Sequence, residues 1–75
     1  MGVSYTSNVL RSIVMLDDLG TTTYVGKAAP GSSTAAPVWQ IQRLHTVGTV
    51  MALQDADGNA NFDNVWDDRA SLSYL

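Results

Sequence analysis

The seven residues Val38-Trp39-Gln40-Ile41-Gln42-Arg43-Leu44 constrain this chain more than any other segment. Trp39 and Ile41 alternate with Gln40 and Gln42. Successive side chains of a strand point to opposite faces, so the pattern predicts a strand with Trp39 and Ile41 on a core. A second alternating run, Thr49-Val50-Met51-Ala52-Leu53, follows a short link from His45 to Gly48, and the two segments read as an antiparallel hairpin. Upstream, the turn residues Asp17-Asp18-Leu19-Gly20 separate residues 9–16 from the β-rich run Thr21-Thr22-Thr23-Tyr24-Val25, which suggests another hairpin. Residues 9–16 fit either a short helix or a buried strand, and their β-branched content favours the strand.

The rest of the chain is punctuation around these strands. Residues 26–37 are Ala, Gly, Ser, Thr, Lys and two prolines with no hydrophobic period, which predicts a long loop. Asp55-Ala56-Asp57-Gly58-Asn59-Ala60-Asn61 has strong turn chemistry. Beyond it Phe62, Val65, Trp66 and Arg69 share a face at i, i+3, i+4 and i+7, a short helical turn near residues 63–69 that Asp63 could cap. Ser71-Leu72-Ser73-Tyr74-Leu75 alternates and is expected to close the sheet. The sum is an all-β fold, a small antiparallel β-sandwich or barrel of five to six short strands. Residues 1–20 read as an N-terminal arm and first strand, and residues 21–75 as a single β domain. Its expected core is Trp39, Ile41, Met51, Leu53, Phe62 and Trp66.

Size and charge then bound the function. Seventy-five residues form one small domain, and such a domain buries only about 60% of its unfolded surface. There is no Cys, so disulfides, thiolate metal sites and Cys nucleophiles are excluded. Only 15% of residues are charged, against about 25% in a typical soluble domain, a neutral surface suited to being covered by neighbours. Association with other chains, and a homo-oligomer in particular, is therefore expected. Tyr5 in the arm and Lys27, Pro30 and Pro37 in the long loop are the candidate interface residues. The net charge is −3, and Arg11, Lys27, Arg43 and Arg69 are spread with no cluster, which argues against nucleic-acid binding. The longest apolar run, residues 13–16, is far short of a membrane span, so no membrane partner is expected and the chain should be soluble.

The sharpest candidate for a chemical site is the Asp/Asn run. Asp55, Asp57, Asn59, Asn61 and Asp63 fall at positions 1, 3, 5, 7 and 9, the spacing of an EF-hand calcium loop. Glycine, however, falls at position 4 instead of 6, and Trp66 stands at position 12 where a bidentate Glu is needed, so a structural turn is the better reading. Adjacent Asp67 and Asp68 do not face one another on a helix and are read as solvated charge or as partners of Arg69, with Asp67–Arg69 the expected ion pair. His45, the sole histidine, lacks Cys or His co-ligands for zinc and a nucleophile to activate. No catalytic residue, metal or cofactor is assigned.

Tyr24-Val25-Gly26-Lys27-Ala28 with Gly31, then Trp39-Gln40-Ile41-Gln42-Arg43-Leu44, Ala56-Asp57-Gly58-Asn59, Phe62-Asp63, and Trp66-Asp67-Asp68-Arg69-Ala70-Ser71-Leu72 with Tyr74 carry a resemblance. Over residues 21–75 the chain resembles a family of small uncharacterised structural proteins encoded in tailed-bacteriophage virion modules. The resemblance implies a non-enzymatic virion component, at the neck, tail or fibre joint or as capsid decoration, assembled in the host cytoplasm and partnered by itself and by other virion proteins. It implies no catalytic residues. The alternative expectation is a ligand-binding module, taking calcium through residues 55–63 or carbohydrate at a fibre tip.

Overall fold

Two tight turns set the strand order. In the computed structural model, which describes residues 12–75, β1 (Ile13–Asp18) and β2 (Thr22–Ala28) form the first antiparallel hairpin. Asp18 Oδ1 accepts the Gly20 amide at 2.9 Å, and the Leu19 amide donates to the Thr22 carbonyl at 2.8 Å. β3 (Pro37–Val47) pairs with β2 on one side and with β4 (Val50–Asp55) on the other. Gly48-Thr49 is the entire β3–β4 connection, and Gly48 at φ +63° occupies the first central position, as a type II′ hairpin turn demands. The result is an antiparallel meander in the order β1-β2-β3-β4. β5 (Asn64–Val65) pairs with the start of β3 across a bulge between Pro37 and Trp39, and a 3₁₀ helix (Trp66–Ser71) follows. The small all-β antiparallel fold read from the sequence is the one found, with residues 13–16 in a strand and the single helical turn close to its expected place.

Register decides what each face carries. Tyr24 lies opposite Asp17 and Arg43, Gly26 opposite Met15 and Ile41, and Ala28 opposite Ile13. With Trp39 these residues form one face of the sheet, and the C-terminal segment folds across it. Trp66 packs against Trp39 with ring centroids 5.8 Å apart, and Tyr74 against Tyr24 at 5.7 Å. Tyr24, Ala28, Trp39, Ile41, Ala56, Trp66 and Tyr74 are the buried hydrophobic core, with Ile13, Met15 and Leu72 packed against it. Gly26 is what admits Trp66. A Cβ there would lie 2.6 Å from Trp66 Cζ3 and closer still to Cε3, so only a bare backbone lets the indole settle on β2.

Several expectations are corrected. Trp39, Ile41 and Trp66 are core, but Met51 and Leu53 are both 59% exposed and Phe62 is 52% exposed. The alternation of Met51 and Leu53 is real, yet register pairs Leu53 with Leu44 and Met51 with Thr46, on the face opposite Trp39 and Ile41. Phe62 misses the core because the helix starts only at Trp66, leaving residue 62 in a bend ahead of β5. Asp63 is no cap: Val65 is the N-cap residue and makes no side-chain capping bond. The loop is residues 29–36, shorter than the expected 26–37, because Gly26, Lys27 and Ala28 extend β2 and pair with β1. Arg69 pairs with Asp17 on β1, Nε to Oδ2 at 3.0 Å, and not with Asp67. The tight 3₁₀ winding stacks i on i+3, so Arg69 lies over Trp66 and reaches the sheet while Asp67, two residues back, is exposed. Tyr74 bridges Ala56 in place of a full closing strand.

Candidate functional site

The second face of the sheet is the largest feature left without cover by the described residues. It alternates with the core face along every strand: Val14, Leu16 and Asp18 from β1, Thr23, Val25 and Lys27 from β2, Gln40, Gln42, Leu44 and Thr46 from β3, and Met51, Leu53 and Asp55 from β4. Leu16 is paired with Val25, and Leu44 with Leu53. Diagonal neighbours in adjacent strands lie within about 7–8 Å, so Val14, Leu16, Val25, Leu44, Leu53 and Met51 make one oblique apolar band across four strands. Polar groups rim it. Thr23 Oγ1 donates to Asp18 Oδ1 at 3.3 Å at one corner, and Gln42 Nε2 donates to Asp55 Oδ1 at 3.0 Å at the β4 edge. Where the β3–β4 hairpin runs past the end of β2, Val47 and Val50 are each 68% exposed, and the described residues extend 50 Å along their long axis.

The predicted interface residues divide. Lys27 lies on the outer face beside Val14. Pro30 and Pro37 are exposed at the turn after β2 and at the head of β3, while Tyr5, with the rest of the N-terminal arm, lies outside the described residues. The long loop is pinned: Trp39 Nε1 donates to the Ser33 carbonyl at 2.9 Å and the Asp67 amide to the Thr34 carbonyl at 3.1 Å, so it lids the tryptophan pair.

The Asp/Asn run is a turn closed by its own backbone. Gly58 and Asn59 amides donate to the carbonyls of Asp55 and Ala56, the Asp57 amide donates to the Ser73 carbonyl at 2.7 Å, and Asp57 itself sits at φ +59°. Asp55 is engaged by Gln42, and Asn59 Oδ1 accepts the Asn61 amide at 3.0 Å. Among the described residues no three of its carboxylates converge as a metal cluster, and no cavity is found. His45 Nδ1 shares a 2.9 Å hydrogen bond with Thr22 Oγ1.

Sequence reasoning missed the layer around Tyr74. Arg43 lies over its ring at 5.0 Å, its hydroxyl donates to the Arg69 carbonyl at 2.7 Å, and burial, with Tyr24 close by, pushes its pKa up to about 12. Arg69 is the hub that joins this layer to β1, with its guanidinium 4.6 Å from the Trp66 ring centre. Its spacing from Asp17, 52 positions earlier, carries no local signal. No helix among the described residues is long and apolar enough to cross a membrane. Comparison of the chain with protein-family models, with curated proteins and with solved structures found no match.

Proposed function

We propose that this chain is a non-enzymatic structural component of a tailed-phage virion, acting by self-association and by docking on other virion proteins. The observation that carries the reading is the outer face: a continuous apolar band rimmed by polar groups, the composition of an interface centre and its rim. Two further features support it. Among the described residues the outermost strands, β1 (Ile-Val-Met-Leu-Asp-Asp) and β4 (Val-Met-Ala-Leu-Gln-Asp), contain neither Lys nor Pro, two of the residues that blunt an edge against strand addition. The low charge of the chain and its resemblance to small virion proteins over residues 21–75 point to the same class.

The test is mass spectrometry of purified particles from cells expressing the surrounding genes, followed by a map of the intact particle. The expected result is the chain at a fixed stoichiometric copy number with its outer face covered. Particles that are complete and infectious without it overturn the reading.

A further inference from the structure

We infer that Asp57 is a self-modifying site: its carboxyl condenses with the Gly58 amide to a cyclic imide, hydrolysis leaves an isoaspartyl link in the turn, and the C-terminal residues set the rate. The inference stands apart from the association reading. Three observations carry it.

The first is the residue pair. Of the seven aspartates Asp57 alone precedes glycine; the others are followed by Asp18, Leu19, Ala56, Asn64, Asp68 and Arg69. No asparagine precedes glycine either. Ring closure brings Asp57 Cγ onto the Gly58 nitrogen, an approach that a Cβ on the following residue would crowd. The turn itself demands this pair. The Asn59 amide donates to the Ala56 carbonyl at 3.4 Å across Asp57 at φ +59° and Gly58 at φ +74°, two successive left-handed residues as in a type I′ turn, where Asp-Gly is a preferred filling. Among the described residues Asp57 is the one non-glycine held at positive φ.

The second is access. Asp57 and Gly58 are both exposed. The carboxylates of Asp17, Asp18 and Asp55 are engaged by Arg69, Gly20 and Gln42, whereas that of Asp57 has no hydrogen bond or ion pair among the described residues. Nothing holds it back from its neighbour.

The third is a gate. The Gly58 N–H, on the nitrogen that must attack, donates to the Asp55 carbonyl at 3.1 Å. The same carbonyl accepts the Leu75 amide at 3.1 Å, the Asp57 amide donates to the Ser73 carbonyl at 2.7 Å, and Ala56 bridges Tyr74. The C-terminal residues thus clamp the turn, and attack waits for the clamp to open.

The chemistry needs only water. The Gly58 nitrogen bonds to Cγ of the protonated carboxyl, and the amide proton leaves with the carboxyl hydroxyl as water. The imide then takes water back at one of its two carbonyls. Addition at Cγ restores aspartate, while addition at the backbone carbonyl routes the chain through Cβ and Cγ, one carbon longer, with the α-carboxylate as the side group. The longer link cannot keep the Gly58–Asp55 bond, so the product loosens the clamp that restrained it.

Prolonged warm incubation of the full chain tests this, with isoaspartate located by peptide mapping and totalled by enzymatic methylation of isoaspartyl carboxylates with labelled S-adenosylmethionine. Isoaspartate is expected at position 57 ahead of every other aspartate, and Asp57→Glu should lose most of the methylation. Leu75→Pro deletes one clamp donor at an exposed position and, folded by circular dichroism, should react about fivefold faster, the worth of one net hydrogen bond. Wild type unfolded in urea should react faster still, and this comparison holds whether or not Leu75→Pro folds. Isoaspartate that forms first at another aspartate, or none at position 57 even in the unfolded chain, overturns the site. A folded chain that reacts as fast as the unfolded one, or a folded Leu75→Pro variant no faster than wild type, overturns the gate.

Discussion

Gly26→Ala is the sharpest probe of how this fold is held together, because the ordinary expectation has the opposite sign. Glycine inside a strand costs about 0.5–1 kcal/mol relative to alanine, so a Gly→Ala change in open space stabilises. At position 26 the new methyl would meet Trp66 Cζ3 at 2.6 Å and Trp39 Cε3 at 3.2 Å, against buried rings with no slack. Over-packing a filled core costs about 1–3 kcal/mol, and lifting Trp66 off the sheet adds part of its own burial. The net loss should be about 2–4 kcal/mol. A chain of 75 residues is worth about 4–11 kcal/mol in all, so this is a large share, and it lowers the Tm by about 10–25 °C.

Thermal melts at one fixed concentration, followed by tryptophan fluorescence, read this directly. Trp66→Leu supplies the control. In that background the alanine no longer strikes an indole, so its penalty should vanish or reverse, giving a coupling energy of about 2 kcal/mol. A Gly26→Ala variant as stable as wild type, or one with the same penalty with and without Trp66, would refute the stacking of Trp66 on β2.

Other consequences are as direct. Asp17→Asn should cost about 0.5–1 kcal/mol, since the Arg69 pair is partly exposed, whereas Arg69→Ala should cost about 1–2 kcal/mol because it also removes the cation over Trp66 and the bond to the Trp66 carbonyl; urea denaturation of both variants checks the ranking. Tyr74 has its pKa raised to about 12 by burial, so the unfolded chain loses its phenolic proton first. The stability Tyr74 contributes is complete below pH 10 and falls by on the order of 2 kcal/mol as pH rises toward 12, and Tyr74→Phe should flatten that decline in melts at pH 9 and pH 11.5. Calcium added at about 1 mM should leave the Tm unchanged, because the backbone and Gln42 already engage the 55–63 turn; a rise of several degrees would restore the metal reading.

What the sequence made legible follows from where its signals are local. Period two at residues 38–44, the glycines at 20 and 48 and the β-branched run at 21–25 each act within a few residues, and both hairpins form on those signals, although His45, Thr46 and Val47, expected in the link, instead extend β3 and pair with β4. Alternation, however, says only that two residues share a face and not which face is inward. Met51 and Leu53 were consistent with a core on either side, and the choice falls to the register that sets Leu53 beside Leu44. Ala28, Ala56, Tyr24 and Tyr74 were illegible as core for another reason: their burial depends on the C-terminal segment crossing the sheet, a long-range event with no local pattern. The Asp17–Arg69 pair was hidden in the same way. The outer face is thus the product of three strand pairings in one register, apolar because Val14, Leu16, Val25, Leu44, Leu53 and Met51 all fall on it together.

That face bears on why so short a chain, with no staple, folds at all. Among the described residues Trp39 and Ile41 are the largest side chains buried to completion, and the core rests on a few aromatic contacts across one side of the sheet. On the other side, Val14, Leu16, Met51 and Leu53 are each more than half exposed. Covering what remains of them contributes about 1 kcal/mol apiece, so about 4 kcal/mol per chain, comparable with the lower end of the stability the monomer can have. If association supplies that share, stability must depend on protein concentration. Once the concentration exceeds the dissociation constant, each tenfold increase adds about 1.4 kcal/mol per dimer, about 0.7 per chain, and the Tm should climb by about 3–5 °C per decade. Leu16→Asp should abolish the climb while leaving the dilute-limit Tm in place. A Tm constant from about 10 μM to about 1 mM would mean that no second copy covers the apolar band and that a single chain reaches its full stability alone.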